Sequence, residues 1–196
     1  MKITRHGEYL WQLTRLSMVN CYLVRQEDGL VLIDTGLAGS VRGIMKASRT
    51  LDYPITCVTL THAHLDHAGS LDEIVEQLPG VRIALPERTA AFLQGNRSLQ
   101  PGEPQDKLRG SFVVCKSRPT ELLKPGELLG TLRVVAAPGH TPDQVAFYNE
   151  QDGTLIAGDA FQTLGGFAVA GVVRWRFPLP ALGTWHLPTS LATARK

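Results

Sequence analysis

The amino-acid sequence predicts an α/β layered sandwich in which sheets are covered by helices. Helical and strand patterns alternate in the first half of the chain, and strand patterns dominate its centre. Apolar residues make up 43% of the 196 residues and charged residues 19%, so the composition suits a sizeable core and not a disordered chain. No internal repeat or linker divides the sequence, and we therefore expect a single domain over residues 1–196.

Short apolar runs, several of them rich in β-branched residues, predict the strands. They are residues 18–25, 29–34, 54–60, 81–86, 131–137, 144–149 and 153–159. Helices are predicted over 40–51, with Ser40 as N-cap, over 65–78, where apolar residues recur every three to four positions, and over 87–95. The polar segment 96–110 is rich in Gly and Pro and is expected to be a surface loop.

Charge and hydropathy argue against several classes of function. The formal net charge is +2 without a run of Lys or Arg, so we expect neither a nucleic-acid partner nor a membrane partner. No apolar stretch approaches the roughly 18 residues that span a bilayer, and the start MKITRHGEYLWQL does not read as a secretory signal. The cysteines Cys21, Cys57 and Cys115 lie in apolar runs, and we expect buried thiols and a cytoplasmic location.

The segment THAHLDHAG places four potential metal ligands within six residues, namely His62, His64, Asp66 and His67. A lone histidine is more often structural than a ligand, but four such residues at a strand-to-helix junction predict a metal site. His62 and His64 are two positions apart in an extended segment and point to the same side, so they can hold one ion together. Asp66 and His67 stand where the helix begins and can reach a second ion.

Two later residues are expected to complete this site. His140 in APGHTPDQ and Asp159 in IAGDAF each follow an apolar strand and precede turn residues, as the histidine cluster does. Loops at strand ends are where a rigid scaffold carries functional groups. His140 alone would be equally compatible with a structural role, but together with the cluster it is expected to be a ligand.

The motifs THAHLDHAG, PGHTPDQ and GDA, in this order, resemble the metallo-β-lactamase fold superfamily of metallohydrolases over roughly residues 8–196. The resemblance implies an α/β fold of the αββα four-layer sandwich type, with a metal site at the edge of the two central sheets. The ligands that it implies are His62, His64 and His140 for one ion, Asp66 and His67 for the other, and Asp159 as a bridge between them. Asp34, in a D-T-G turn, would lie next to the ligands and support them without binding an ion itself.

Ligands of this kind suit Zn²⁺, with iron or manganese as alternatives, and we expect two ions per chain. The predicted function is hydrolysis of a small ester, lactone or thioester by hydroxide formed from metal-activated water. Asp66 is expected to be the catalytic residue that orients this hydroxide or carries a proton to the leaving group. A non-catalytic metal-binding scaffold and a phosphodiesterase of the same fold stay open as alternatives.

The sequence departs from the superfamily pattern towards its C-terminal end. Relatives usually carry a further histidine in a G-H-G-like turn, and this chain has only His186, which we expect in a loop. We therefore expect a C-terminally shortened chain that lacks the last strand and helix. The sheet surface left open would then invite association with another chain.

Aromatic residues are frequent in the segment 161–188, and two interpretations are open. The segment is either a loop packed on the sandwich or an apolar wall over the metals, with Trp175 and Phe177 as the residues that would test the wall. None of the cysteines follows a strand-end motif that would make it a second-ion ligand, so a true β-lactamase is not expected.

Overall fold

The computed structural model describes all 196 residues. Its strands are β1 (Lys2–His6), β2 (Leu10–Arg15), β3 (Val19–Gln26), β4 (Gly29–Ile33), β5 (Ile55–Thr59), β6 (Arg82–Pro86), β7 (Glu121–Leu123), β8 (Leu128–Leu129), β9 (Leu132–Ala136), β10 (Val145–Asn149), β11 (Leu155–Ile156), β12 (Phe161–Gln162) and β13 (Ala168–Val169). Its helices are α1 (Val41–Leu51), α2 (Leu65–Ala68), α3 (Leu71–Gln77), α4 (Glu87–Leu93), α5 (Leu179–Leu182) and α6 (Leu187–Thr193).

The first seven strands form one sheet in the order β1-β2-β3-β4-β5-β6-β7. Strands β1 to β4 pair antiparallel, whereas β4 to β7 pair parallel because helical crossovers or long loops connect them. A second, antiparallel sheet has the order β11-β10-β9-β8, and β12 pairs with β13 separately. The backbone N–H of Val145 in β10 donates to the carbonyl of Thr61 after β5 at 2.9 Å, which joins the two sheets beside the histidine cluster.

Two apolar cores lie on opposite faces of the seven-stranded sheet. Helices α1 to α4 cover one face, where Leu32 of β4 and Ile44 of α1 are fully buried. The second sheet covers the other face, where Ile33 of β4 packs in the same core as Phe147 of β10. Because both faces are covered, the β4 sequence GLVLI is a continuous apolar run and does not alternate with polar residues.

The outer face of the second sheet is only partly covered. Tyr148 and Leu155, which pair across β10 and β11, expose 40% and 50% of their surface. Helix α6 lies at the end of this sheet, where a Cβ on Gly139 would come within 2.5 Å of the Ser190 backbone. The predicted α/β layering is confirmed, with a sparse outermost layer, and association of chains through this face stays a prediction.

The prediction of one helix over 65–78 is wrong, because the structure divides this segment into α2 and α3 at Gly69 and Ser70. A Cβ on Gly69 would lie 2.9 Å from the backbone nitrogen of Ala38, so the loop after β4 occupies the space beside it. The N–H of Ser70 donates to the hydroxyl of Thr35 at 3.3 Å and not to a backbone carbonyl of the preceding helical turn. Tertiary contacts with this loop therefore interrupt the helical pattern that the sequence shows.

Several strands are not indicated by the sequence pattern. Strand β1 is exposed along nearly its whole length, so polar residues occupy both of its faces, and β7 has only three residues. The predicted strand over 153–159 forms only the two residues of β11. A 3₁₀ turn, Gly158–Ala160, follows it and carries Asp159.

The three cysteines are free and buried, as the sequence predicts. The longest helix, α1, has 11 residues. None of the helices combines the length and the apolar character needed to cross a membrane.

Candidate metal centre

Four histidines and an aspartate converge at one edge of the sandwich. The imidazoles of His62, His64 and His140 form a first group, in which the potential ligand atoms all lie within 4.8 Å of one another. His62, His67 and Asp159 form a second group with the same spacing. The structure thus brings together residues from three separate loops, and metal binding by them stays a prediction.

The hydrogen bonds of His64 and His140 fix which nitrogen of each ring faces the centre. The Nε2–H of His64 donates to the carbonyl oxygen of Arg109 at 3.0 Å, because a carbonyl can only accept. The hydroxyl of Thr184 donates to the carbonyl of Pro180 at 2.6 Å, so it accepts from the Nδ1–H of His140 at 3.1 Å. The remaining nitrogens, His64 Nδ1 and His140 Nε2, carry lone pairs and lie 3.1 Å apart. Two lone pairs at this distance repel each other unless a proton or a cation lies between them.

His62 and His67 are oriented by one buried hydrogen-bond network around Asp34. The Nδ1–H of His67 donates to Asp34 Oδ2 at 2.8 Å. The Thr61 hydroxyl donates to the same carboxylate at 2.9 Å and accepts from the Nδ1–H of His62 at 3.1 Å. His62 Nε2 is buried and has no hydrogen-bond partner, a rare state for a buried polar atom. Both rings therefore also present an Nε2 atom to the centre.

Two carboxylates lie beside the imidazoles. Asp159 Oδ1 lies 3.2 Å from His67 Nε2, and its Oδ2 lies 3.5 Å from His140 Nε2, so this side chain faces both groups. Asp66 Oδ2 lies 3.7 Å from His67 Nε2, and the Asp66 side chain is 44% exposed. Asp159 thus has the position of a bridging ligand, whereas Asp66 lies at the outer edge and belongs to neither close group.

The two groups differ in charge. Burial lowers the pKa of all three imidazoles of the first group, and that of His64 falls to about 3. Burial acts in the same direction on His67, but the carboxylates of Asp159 and Asp34 outweigh it and raise the pKa of His67 well above its usual value. Burial would raise the pKa of Asp159, yet His67 and His140 lower it. The first group therefore consists of neutral imidazoles, whereas in the second group His67 is an imidazolium between the carboxylates of Asp34 and Asp159.

Backbone geometry holds the supporting residues close to the centre. Asp34 has a φ of +63°, which is unfavourable for a residue with a side chain, and its carboxylate is fully buried. The N–H of Thr61 donates to that carboxylate at 2.7 Å, and this and the bonds described above offset the backbone strain. A Cβ on Gly158 would lie 2.9 Å from Thr61 Cβ, so glycine allows the turn of Asp159 to approach.

Sequence reasoning missed two contributors to the site. Residues 96–110 were predicted to be a surface loop, but the carbonyl of Arg109 holds His64, and a Cβ on Gly110 would overlap the His64 ring. Thr184 orients His140 from 44 residues away along the chain. A backbone carbonyl and a lone threonine carry no distinctive pattern, so no sequence signal could have found either.

A cleft of about 520 Å³ lies in front of the histidines. Phe161, Leu164 and Phe177 line it, which agrees with an apolar wall. Trp175 does not line the cleft and is 83% exposed, so its proposed place in the wall is wrong. Trp185 is buried, and its indole N–H donates to the carbonyl of Asp106 at 3.1 Å.

His186 lies outside the centre. Its Nδ1 accepts a hydrogen bond from the N–H of Thr189 at 3.3 Å, and it is the N-cap of α6. Its Nε2 lies 3.7 Å from Asp106 Oδ2. The expectation that His186 is not a ligand agrees with this position.

Comparison with known proteins agrees with the geometry. A family model described as the metallo-beta-lactamase superfamily matches residues 14–193. The uncharacterized protein YobT of Bacillus subtilis is 43% identical over 199 residues, which cover 100% of this chain and 85% of that protein. The probable metallo-hydrolase YflN of the same organism is 26% identical over 179 residues, which cover 81% of this chain and 66% of that protein.

A solved structure is also similar to this chain over most of its length. The crystal structure of TTHA1623 in a di-iron-bound form matches with a TM-score of 0.64 and 26% identity, over 94% of this chain and 82% of that one. Several curated relatives are longer, and this chain spans 50 to 66% of the length of three of them. The family match covers most of the chain, and the motif residues lie together at one edge of the sandwich. This chain therefore belongs to the metallo-β-lactamase superfamily.

Proposed function

We propose that this chain is a hydrolase that uses two divalent cations, Zn²⁺ in the first place and iron or manganese as alternatives, to cleave a small ester, lactone or thioester. Superfamily membership supports metal-dependent hydrolysis, and the relatives include a probable metallo-hydrolase and a protein with a di-iron form. One observation carries the proposal. The imidazoles of His62, His64 and His140 turn lone-pair nitrogens towards one another while their outer nitrogens are already hydrogen-bonded. Beside them, His67 lies between the carboxylates of Asp34 and Asp159.

The residues of the centre fit divalent cations. The Nε2 atom of His62 is buried without a hydrogen-bond partner, and a cation would satisfy it. The facing nitrogens of His64 and His140 need a positive charge between them. Hydrogen bonds to the outer nitrogens fix the ring orientations and increase the basicity of the inner ones, as in known metal sites.

The carboxylates and the cleft define what the loaded centre favours. Such cations, when bound, lower the pKa of water to about 7 and polarise a carbonyl oxygen. Asp66 and Asp159 contribute two negative charges against four positive ones, so a positive excess remains. This excess favours the anionic tetrahedral state over a neutral carbonyl group.

Asp66 is the residue that we assign to proton transfer. Its carboxylate is 44% exposed to the cleft and lies 3.7 Å from His67 Nε2. From this position Asp66 Oδ2 can accept a proton from the attacking water and carry it to the leaving group. The buried, free cysteines support a reducing compartment such as the cytoplasm for this activity.

Metal analysis combined with a substrate panel tests this function. The chain is loaded with Zn²⁺, Fe²⁺ or Mn²⁺ and assayed with nitrophenyl acetate, a lactone, an acyl thioester and bis(nitrophenyl) phosphate. We expect two ions per chain and hydrolysis of at least one acyl substrate. His140→Ala should abolish it, whereas the matched control His6→Ala, at an exposed histidine of β1, should not.

Two outcomes would contradict the proposal. Turnover of the phosphodiester alone would identify a phosphodiesterase of the same fold. Binding of one ion or none, without turnover in any assay, would support a non-catalytic metal-binding scaffold.

A further inference from the structure

A second cleft opens directly beside the cleft of the metal centre. It has a volume of about 630 Å³ and lies between the turn that joins β2 to β3 and the segment 164–177. Met18, Leu164 and Phe177 line both clefts, so the two clefts adjoin at these side chains, and we refer to them together as the groove. A molecule with its reacting group at the histidines can therefore extend past these three side chains.

Half of the eight residues that line this outer cleft are apolar. Leu16 lines only the outer cleft, and Arg176 is its one charged lining residue. Leu16, Met18 and Leu164 expose 67%, 42% and 39% of their surface. Burial of these apolar side chains would be favourable in free energy. Adjacent large apolar side chains left exposed in this way are typical of a surface that binds a partner or an apolar ligand.

The backbone beneath Leu16 gives independent support. Leu16 and Ser17 have φ values of +53° and +59°, in the left-handed region that side chains rarely adopt. Glycine and asparagine are the usual residues in such turns, because glycine has no Cβ and the short polar side chain of asparagine can hydrogen-bond to the nearby backbone. A leucine at this position costs stability and presents an apolar side chain to the groove.

We propose that the outer cleft holds the unbranched acyl chain of the substrate, so that the enzyme prefers acyl esters or thioesters with a long apolar chain to acetyl compounds. This inference rests on the proposed hydrolase function for the position of the carbonyl group. Continuity with the metal centre favours an acyl chain over a macromolecular partner. Phe167, Val173 and Trp175, which are also exposed, line neither cleft.

Binding of n-alkanoates measures the cleft without requiring turnover. Metal-loaded protein is titrated calorimetrically with acetate, butanoate, hexanoate and octanoate. Burial of one methylene increases affinity about fourfold, so we expect the dissociation constant to fall about fourfold with each methylene that enters the groove. Equal affinity for acetate and octanoate would overturn the proposal, as would binding to phosphatidylcholine vesicles without binding of octanoate.

The variant Leu16→Asn separates the ligand role from a structural role. Asparagine tolerates the left-handed conformation, so the melting temperature should stay the same or rise. The increase in affinity from hexanoate to octanoate should fall to less than about twofold per methylene, because the apolar lining is lost. Trp175→Ala is the matched control and should leave the dissociation constants of the four alkanoates unchanged. A stable Leu16→Asn protein with an unchanged series would refute the proposal.

The corresponding nitrophenyl esters distinguish the two proposals. If no ester is hydrolysed but octanoate still binds more tightly than acetate, the proposed function fails and the acyl cleft stands. If acetyl and octanoyl esters are cleaved with equal kcat/KM and the alkanoates bind equally, the function stands and the acyl cleft fails.

Discussion

The two groups of the metal centre share His62 but differ in burial and charge. In the first group, His62, His64 and His140 are each at most 4% exposed, and each outer nitrogen has a hydrogen-bond partner. In the second group, Asp159 is 30% exposed, and the neighbouring Asp66 is 44% exposed. The first group is thus a set of neutral, oriented imidazoles, whereas in the second group His67 is protonated. We expect the first group to bind its ion more tightly.

Removal of a ligand of the first group should have the largest effect. His140→Ala deletes the nitrogen that faces both His64 Nδ1 and Asp159. Loss of an outer hydrogen-bond partner alone reduces metal affinity or activity by about 10–100-fold, and loss of the ligand itself should exceed 100-fold. Steady-state kcat/KM and metal content measure this effect. Wild-type activity in His140→Ala would contradict the expectation that the first group binds its ion more tightly.

Thr184→Val should have the next largest effect. The isosteric valine keeps the shape but cannot accept the hydrogen bond from His140 Nδ1, so the ring is no longer fixed. We expect affinity for the more tightly held ion to fall by about 10–100-fold, with the second ion little affected. Competition with a chromophoric chelator measures both constants. Thr184→Ser, which retains the hydroxyl, is the control and should bind both ions with wild-type affinity.

Removal of metal should reduce stability. A ligand that binds only the folded state stabilises it by about 2.7 kcal/mol when its free concentration is 100 times the dissociation constant. A chelator should therefore lower the free energy of unfolding of the loaded protein by about this amount at that concentration. Urea unfolding with and without Zn²⁺ measures the difference. Identical curves would show that no ion is held by the folded chain.

Acid should release the two ions at different pH values. The pKa of His67 is raised, so below it an ion of the second group must displace a proton, whereas the first group has lowered pKa values and takes up protons only at lower pH. Affinity of the second group should fall by about tenfold for each pH unit below the pKa of His67. Metal content after dialysis at decreasing pH should change from two ions to one before it reaches zero. Loss of both ions together would contradict the assignment.

The convergence of these histidine and aspartate side chains was predictable because the residues are chemically distinctive and each stands where an apolar run ends. His62, His64 and His67 stand within one segment, and His140 and Asp159 follow apolar runs that end at the same edge of the sandwich. The orientation of these rings was not predictable. It depends on Thr184 and on the carbonyl of Arg109, which tertiary folding alone brings to the histidines.

The same contrast applies to the fold. Buried runs such as GLVLI in β4 identify strands because both faces are apolar. Exposed β1 and the break at Gly69 were missed, because pairing partners and the neighbouring loop determine them. The apolar-wall interpretation of residues 161–188 includes Trp175. Periodicity does not apply in a loop and cannot indicate which side chains face the cleft, and the Trp175 side chain lies in solvent.

Calorimetric titration of the metal-free chain with Zn²⁺ tests the inequality of the two groups most directly. Wild type, His140→Ala and Asp159→Asn are titrated in parallel, and total metal is determined at the end point. We predict two binding steps in wild type, loss of the tighter step in His140→Ala and loss of the weaker step in Asp159→Asn. A tighter step that survives in His140→Ala, or one ion lost equally in both variants, would contradict the account.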